Sequence, residues 1–220
     1  MLIELSGIDG AGKSTQMERL QRHANERGIE CHIRTLKSTS RRILARIGAT
    51  RGAREWRDLF DPALVELATA LDLYQQVHAL IVPIRQPGEM ILTDSYARYW
   101  LASAHTNLPR PDWAVDEAYR LFPAPDLALH LRVDPTVALE RIVARAKGDH
   151  VLREGGIGVV EALERAYVHV DRTLGYRPVV LDAARGPDEV ARDAVEAVRS
   201  TRSTLDPLDR EMVARLGATS

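Results

Sequence analysis

The chain predicts an α/β domain, a parallel sheet covered by helices on both faces, on three observations. Short apolar runs alternate with helical periodicity along its length. Those runs are apolar at successive positions instead of every second one, as in strands buried on both faces. Finally, 220 residues, 45% hydrophobic and 28% charged, suffice for one sizeable core. A single domain over residues 1–200 with a weakly helical or disordered tail at 201–220 is expected, and a wholly disordered chain is excluded.

Each element has its own signal. Residues 1–6 are an apolar run ending in glycines, and 14–27 turn helical with Met17, Leu20, Ala24 and Arg27 on one stripe and Gly28 as the stop. Residues 29–36 read as a second strand, followed by a basic polar segment carrying Lys37, Arg41, Arg42, Arg46, Arg51 and Arg54. Asp61-Pro62 supplies an N-cap and first-turn proline for a helix to about residue 82, on which Leu64, Leu67, Leu71, Tyr74, His78 and Ile81 fall three or four apart. A third strand covers 90–93, and a helix follows Asp94 to about 104. Asp112 caps a helix ending near 122, the fourth strand spans 127–133, and Asp134-Pro135 starts a helix to 146. Residues 148–158 are glycine-rich and polar, expected to be mobile; a helix to 174, a strand at 179–181 and a helix at 187–200 close the pattern.

Composition narrows the function. The net charge is −1, so no basic field recruits nucleic acid. Cys31 is the only cysteine, which rules out an internal disulfide and a Cys-rich zinc site and suits a buried strand thiol. The N-terminus lacks a charged segment followed by a long apolar one, and no apolar run reaches the ~18 residues of a membrane span. A cytoplasmic protein without a membrane partner is expected.

Gly7-Ile8-Asp9-Gly10-Ala11-Gly12-Lys13-Ser14-Thr15 matches GxxxxGK[ST] between a strand and a helix. For this composition a chance match is roughly one in a thousand before that context is required. Glycines let backbone N–H groups converge on phosphate oxygens, and the helix N-terminus adds partial positive charge. Lys13 reaches the β- and γ-phosphates of ATP and Ser14 can ligate Mg²⁺. A second carboxylate, Asp94, ends an apolar strand at the edge where ligands bind in such sheets, able to hold Mg²⁺ or orient an acceptor. Asp9 lies inside the loop and faces either metal or acceptor sugar.

With GIDGAGKST in place, the chain resembles the thymidylate kinase family of nucleoside monophosphate kinases over about residues 1–184. ILTDSY stands where the family has a strand ending in Asp-Arg-Tyr, and PDLALHLRVDPTVALERIVAR at 125–145 is similar to its Pro-Asp-Leu strand, Asp-Pro turn and Glu-Arg helix. The resemblance implies a P-loop kinase fold with a five-stranded parallel sheet, nucleotide substrates and a homodimer. Members with glycine at the position of Gly10 carry catalytic arginines in a lid. Here these would be drawn from Arg141, Arg145 and Arg153, with Arg145 at the entrance of a lid at 145–158.

The acceptor side departs from the family in three places. Thr35-Leu36-Lys37 replaces a proline turn, Asp94-Ser95 replaces an Asp-Arg pair, and Thr69 and Leu73 stand where an aromatic and an arginine meet the thymine base. Arg98, one turn beyond Asp94, is a candidate for the missing guanidinium; Lys37, Arg41 and Arg42 are candidates for phosphate contacts. Tyr99 and Trp100 either stack on a base or belong to the core. Only Lys13, Lys37 and Lys147 are lysines, and the last two fall on the ligand edge and in the lid. His105 and His150 show no metal-ligand spacing and are expected to be polar loop residues.

The expected activity is transfer of the γ-phosphoryl group of ATP to a pyrimidine nucleoside monophosphate, with a substrate other than dTMP favoured by the departures. An anionic phosphate acceptor needs no strong general base. Two alternatives stay open: a nucleoside or small-alcohol kinase with Asp94 or Asp9 as base, and a nucleotide-binding regulator that has lost transfer.

Overall fold

The computed structural model describes residues 1–53, 56–144 and 156–217, with side chains through residue 202. Five strands, Leu2–Ser6 (β1), Cys31–Thr35 (β2), Met90–Asp94 (β3), Leu127–Arg132 (β4) and Val179–Asp182 (β5), form one sheet in the order β2-β3-β1-β4-β5. All four pairings are parallel. The helices are Lys13–Asn25 (α1), Thr39–Thr50 (α2), Pro62–Leu80 (α3), Ala97–Asn107 (α4), Trp113–Arg120 (α5), Pro135–Ala144 (α6), Ile157–Leu174 (α7) and Pro187–Gly217 (α8). The expected α/β class and five-stranded parallel sheet are therefore present. The last helix continues through the stretch expected as a tail.

Alternation along each strand divides the core in two. Ile3, Leu5, Leu92, Leu129 and Leu131 pack with Met17, Leu20, Ala138 and Val190 on one face, against α1, α6 and α8. Leu2 and Ile91 pack with Leu73, Val77, Leu101, Val115, Tyr119 and Val170 on the other, against α3, α4, α5 and α7. Successive side chains point to opposite faces, so an all-apolar strand serves both cores. Cys31 is buried at the start of β2, and burial pushes its thiol up to about 11.

The caps read from sequence hold: Asp61 accepts from the Leu64 N–H at 3.0 Å, and Asp112 from those of Ala114 and Val115 at 2.9 and 3.3 Å. Three expectations fail in whole or in part. The basic segment after β2 contains helix α2, capped by Ser38, which accepts from the Arg41 N–H at 3.1 Å. Its arginines mask the apolar positions, and its one buried residue is Gly48, whose missing Cβ admits Trp56.

On α3 the predicted stripe is split: Leu64 and Leu71 are 61% and 49% exposed and His78 is exposed, Leu67 and Tyr74 pack half-buried against the core, and Ile81 just past the helix is buried. The buried positions of the helix itself are Val65, Glu66, Thr69, Ala70, Leu73 and Val77. Both sets recur at three and four, so periodicity in a helix apolar nearly all round does not choose the buried face. On α1, Met17, Leu20 and Ala24 are buried as expected, while Arg27 lies past the helix end and is exposed.

The two faces of α3 should respond differently to truncation. Leu73→Ala is expected to cost about 2–5 kcal/mol, and Leu71→Ala to stay within about 0.5 kcal/mol of wild type, in urea denaturation. Equal losses would contradict this placement of the helix.

Candidate active site

The glycine loop lies between β1 and α1 at the carboxyl edge of the sheet. Gly7, Gly10 and Gly12 have φ of 142°, 86° and 92°, left-handed values that L side chains rarely adopt. A Cβ on Gly7 would come 2.6 Å from the Leu131 carbonyl oxygen, and one on Gly10 would run into the Ala138 carbonyl. The first two glycines thus let the loop lie against β4 and α6. At Gly12 a Cβ would meet nothing, and no side chain caps α1 there. The first turn of α1 is therefore open to an anion, as a phosphate cradle requires.

Lys13 folds back over this loop, its Nζ donating to Gly7 O at 2.9 Å and Ile8 O at 3.1 Å, with Asp9 Oδ1 at 3.4 Å. Ser14 and Thr15 are exposed on the opening turn. Beside the loop a cavity of ≈ 240 Å³ is lined by Gly10, Gly12, Thr15, Arg141, Ala183 and Pro187, and Ala11 also borders it. Arg141 Nη1 donates to Ala183 O at 3.0 Å.

Asp94 ends β3 in register with Leu5 and Thr35. Burial raises its pKa, Lys13 and the Ser95 hydroxyl oppose the rise, and Asp9 adds to it. Lys13, Asp9 and Asp94 thus share one electrostatic site. Ser95 donates to Asp94 Oδ1 at 3.3 Å and has φ 60°, the only positive φ of a non-glycine among the described residues. Ser14 and Asp94 supply oxygen donors of the kind Mg²⁺ takes, beside the open N-terminus of α1.

A second cavity of ≈ 320 Å³ opens on the other side of Asp9, lined by Arg41, Arg57, Tyr99, Trp100, Asn107 and Leu163 among others. Its cationic wall is preorganised. Arg41 Nη2 pairs with the buried Glu66, its Nε donates to Thr69 Oγ1 at 3.2 Å, and its guanidinium lies 5.1 Å from the Trp100 ring centre. Asn107 Nδ2 donates to Glu66 at 3.1 Å. Among the described residues the buried Trp100 Nε1 has no acceptor, a donor that a bound molecule or water would satisfy.

The sequence candidates separate at this cavity. Tyr99 and Arg41 line it, and Thr69 stands behind it as a partner of Arg41. Leu73 instead lies in the core, and Lys37 is exposed with its backbone held by Gln76 at 2.9 and 3.4 Å. Arg98 is not presented to the cavity: it is 1% exposed, for a reason given below. Arg145, Lys147, His150, Arg153, Arg54 and most of the expected lid lie outside the described residues.

Sequence reading missed the polar network that holds Arg98. Its Nε and Nη2 donate to the two Asp171 carboxylate oxygens at 2.5 and 2.9 Å, and its Nη1 to Ser6 Oγ and, at 2.8 Å, to His130 Nδ1. Since Nδ1 accepts, the His130 proton sits on Nε2, which donates to Glu164 at 3.0 Å. The guanidinium lies 4.2 Å from the centre of the Tyr167 ring, and the Tyr167 hydroxyl donates to Gly7 O at 3.4 Å. Glu4, in the middle of β1, accepts the Arg98 backbone N–H at 3.1 Å; burial pushes its carboxyl up to about 7. The available signal was a charged residue and a histidine inside the apolar strands LIELS and LALHLR.

Comparison with known proteins finds relatives over nearly the whole chain. The thymidylate kinase family profile matches residues 5–194. A thymidylate kinase of Dinoroseobacter shibae is 31% identical, over 88% of this chain and 94% of that protein. One from Akkermansia muciniphila is 32% identical over 86% and 87%, and a probable thymidylate kinase of Methanosarcina barkeri 26% over 90% and 95%.

The buried Glu4 makes stability depend on pH. The folded carboxyl keeps its proton to about 7 where the unfolded one releases it near 4.5. The folded state therefore binds more protons in that window, and stability falls as pH rises through it. Glu4→Gln should flatten this fall, measured by urea unfolding at about pH 5 and about pH 7.5. An unchanged slope would place the titration on another group.

Proposed function

The chain belongs to the thymidylate kinase family, and on that premise we propose that it moves the γ-phosphoryl group of ATP onto a pyrimidine nucleoside monophosphate other than dTMP. Family membership makes it an ATP- and Mg²⁺-dependent nucleoside monophosphate kinase. The choice of acceptor is the inferred part. It is supported above all by the second cavity, whose cations among the described residues are Arg41 and Arg57. Ser95 stands where an arginine would follow Asp94, Leu73 is inside the core and Arg98 is committed to Asp171.

In this reading the loop glycines and the N-terminus of α1 bind the donor phosphates. Lys13 exchanges its carbonyl partners for phosphate oxygens as charge develops on the transferring group. Ser14 and Asp94 would hold Mg²⁺, which would supply positive charge beside the donor phosphates. Arg41, braced by Glu66 and Thr69, meets the acceptor phosphate, Asp9 orients the acceptor's sugar, and Tyr99 flanks the base. Positioning and charge stabilisation suffice because the acceptor is already anionic. The proton affinity that burial confers on Asp94 keeps a second reading alive, a nucleoside kinase with Asp94 as base.

ADP release across nucleosides and nucleoside monophosphates, dTMP included, tests both. Two lost arginine contacts, about 1.5–3 kcal/mol each, predict dTMP kcat/KM lower by on the order of 10² to 10⁴ than that of the preferred pyrimidine monophosphate. A dTMP kcat/KM above ~10⁵ M⁻¹s⁻¹ refutes the altered acceptor, and preference for a nucleoside supports the second reading. Lys13→Ala should lower turnover by about 10² or more.

Arg41→Lys keeps the charge opposite Glu66 and removes the planar fork. It should raise KM for the acceptor about tenfold with KM for ATP unchanged. Arg98→Ala should act on folding instead, costing about 3–5 kcal/mol by removing the buried partner of Asp171, Ser6 and His130. An Arg98→Ala enzyme of native stability with a raised acceptor KM would return Arg98 to the acceptor site.

A further inference from the structure

Away from the phosphate loop, three helices converge with a set of ligating side chains that the transfer reaction does not use. His105 lies in the last turn of α4, Asp116 in α5 and His169 in α7. His105 is therefore not the isolated loop residue its sequence neighbourhood suggests. Its Nε2 is 2.7 Å from Asp116 Oδ1, its ring centroid is 5.0 Å from that of His169, and one ligand atom from each residue lies within 4.8 Å of the other two.

We propose that His105, Asp116 and His169 form a binding site for a divalent transition-metal ion of the zinc class. Ligand atoms around a tetrahedral zinc at about 2.0–2.1 Å stand about 3.3 Å apart. The site therefore needs the His105–Asp116 contact to open by about half an ångström and the third atom to move inward by an ångström or so. The third ligand is the one able to move, because His169 is exposed, whereas the side chains of His105 and Asp116 are only 6% and 16% exposed.

A hydrogen bond between His105 and Asp116 explains two of the three residues. The second imidazole, carried by a third helix, turns the pair into a chelate. Two imidazole nitrogens and one carboxylate oxygen, with the His169 side open to solvent, match three-ligand zinc chemistry. They do not suit Mg²⁺, which takes an octahedral oxygen shell and keeps several waters. The nucleotide's own cation therefore does not compete for the site.

The ion would also join two walls of the acceptor cavity. His105 sits among Ser103, Thr106 and Asn107 of α4, and His169 is on the helix that brings Val160 and Leu163. Among the described residues a second candidate group, Glu30, His32 and Glu89, has one imidazole, with carboxylate oxygens 3.4 and 3.6 Å from His32 Nε2. It serves as the internal control.

The test uses the untagged full chain, stripped with chelator and returned to excess Mg²⁺. Zn²⁺ is titrated by calorimetry and Co²⁺ by visible absorption. The site predicts one equivalent per chain, ligand-field bands of low-coordinate Co²⁺, and a melting temperature that rises with Zn²⁺. His169→Ala, at an exposed position that should not disturb folding, and Asp116→Asn should each weaken binding by at least ~10-fold. His32→Ala should leave it unchanged. Absence of binding up to about 100 µM Zn²⁺, binding that survives His169→Ala, or binding lost in His32→Ala would each overturn the assignment.

Discussion

The guanidinium of Arg98 is the constraint on which the rest of the site depends. A buried cation is tolerated only when its desolvation is offset by close opposite charge and by satisfied donors. Arg98 has both: a two-pronged contact with Asp171, hydrogen bonds to Ser6 and His130, and the face of Tyr167. These partners come from β1, β4 and α7, while Arg98 itself is on α4, so one side chain joins the sheet to two of the helices that line the cavity beside Arg41. Ser6 immediately precedes the glycine loop, and the Tyr167 hydroxyl reaches Gly7 O, which also accepts from Lys13. The loop is thus supported from below by polar contacts, while Gly7 and Gly10 press its backbone against β4 and α6 from the side.

Sheet order then distributes the chemistry. With β1 between β3 and β4, the loop after β1 has Asp94 at the end of one neighbour. The cavity beside Arg141 lies on the α6 and α8 side; that beside Arg41 and Tyr99 lies on the α4 and α7 side. The loop with Lys13 and Asp9 separates them. Ligands of an open α/β sheet bind at such a carboxyl edge, where connections leave in opposite directions. A donor on one side and an acceptor on the other would meet over Lys13.

Arginine identity shows how differently similar residues are used. Arg41 and Arg98 are both candidates for phosphate contact in the sequence, and both pair with carboxylates in the fold. Arg41 lines a cavity and Arg98 does not. A guanidinium has five donors; Arg98 directs donors from all three nitrogens at protein acceptors, whereas those recorded for Arg41 involve Nε and Nη2.

The sequence alone determined whatever rests on neighbours along the chain. The loop Gly7–Thr15 required its glycines at fixed offsets, Asp61 and Asp112 marked helix starts through bonds two or three residues on, and successive apolar residues marked buried strands. Only tertiary structure decided what rests on contacts distant along the chain. Packing against α5 and β3 chose the Leu73 face of α3 over the Leu71 face, although both have helical spacing. Arg98 turned inward because Asp171, 73 positions later, is the partner that offsets its burial. His105 met Asp116 and His169 because three helices cross at one point, and no spacing in sequence encodes that crossing. Local geometry is set within a few bonds of each residue, whereas burial and charge pairing are properties of surfaces that exist only after the chain has closed on itself.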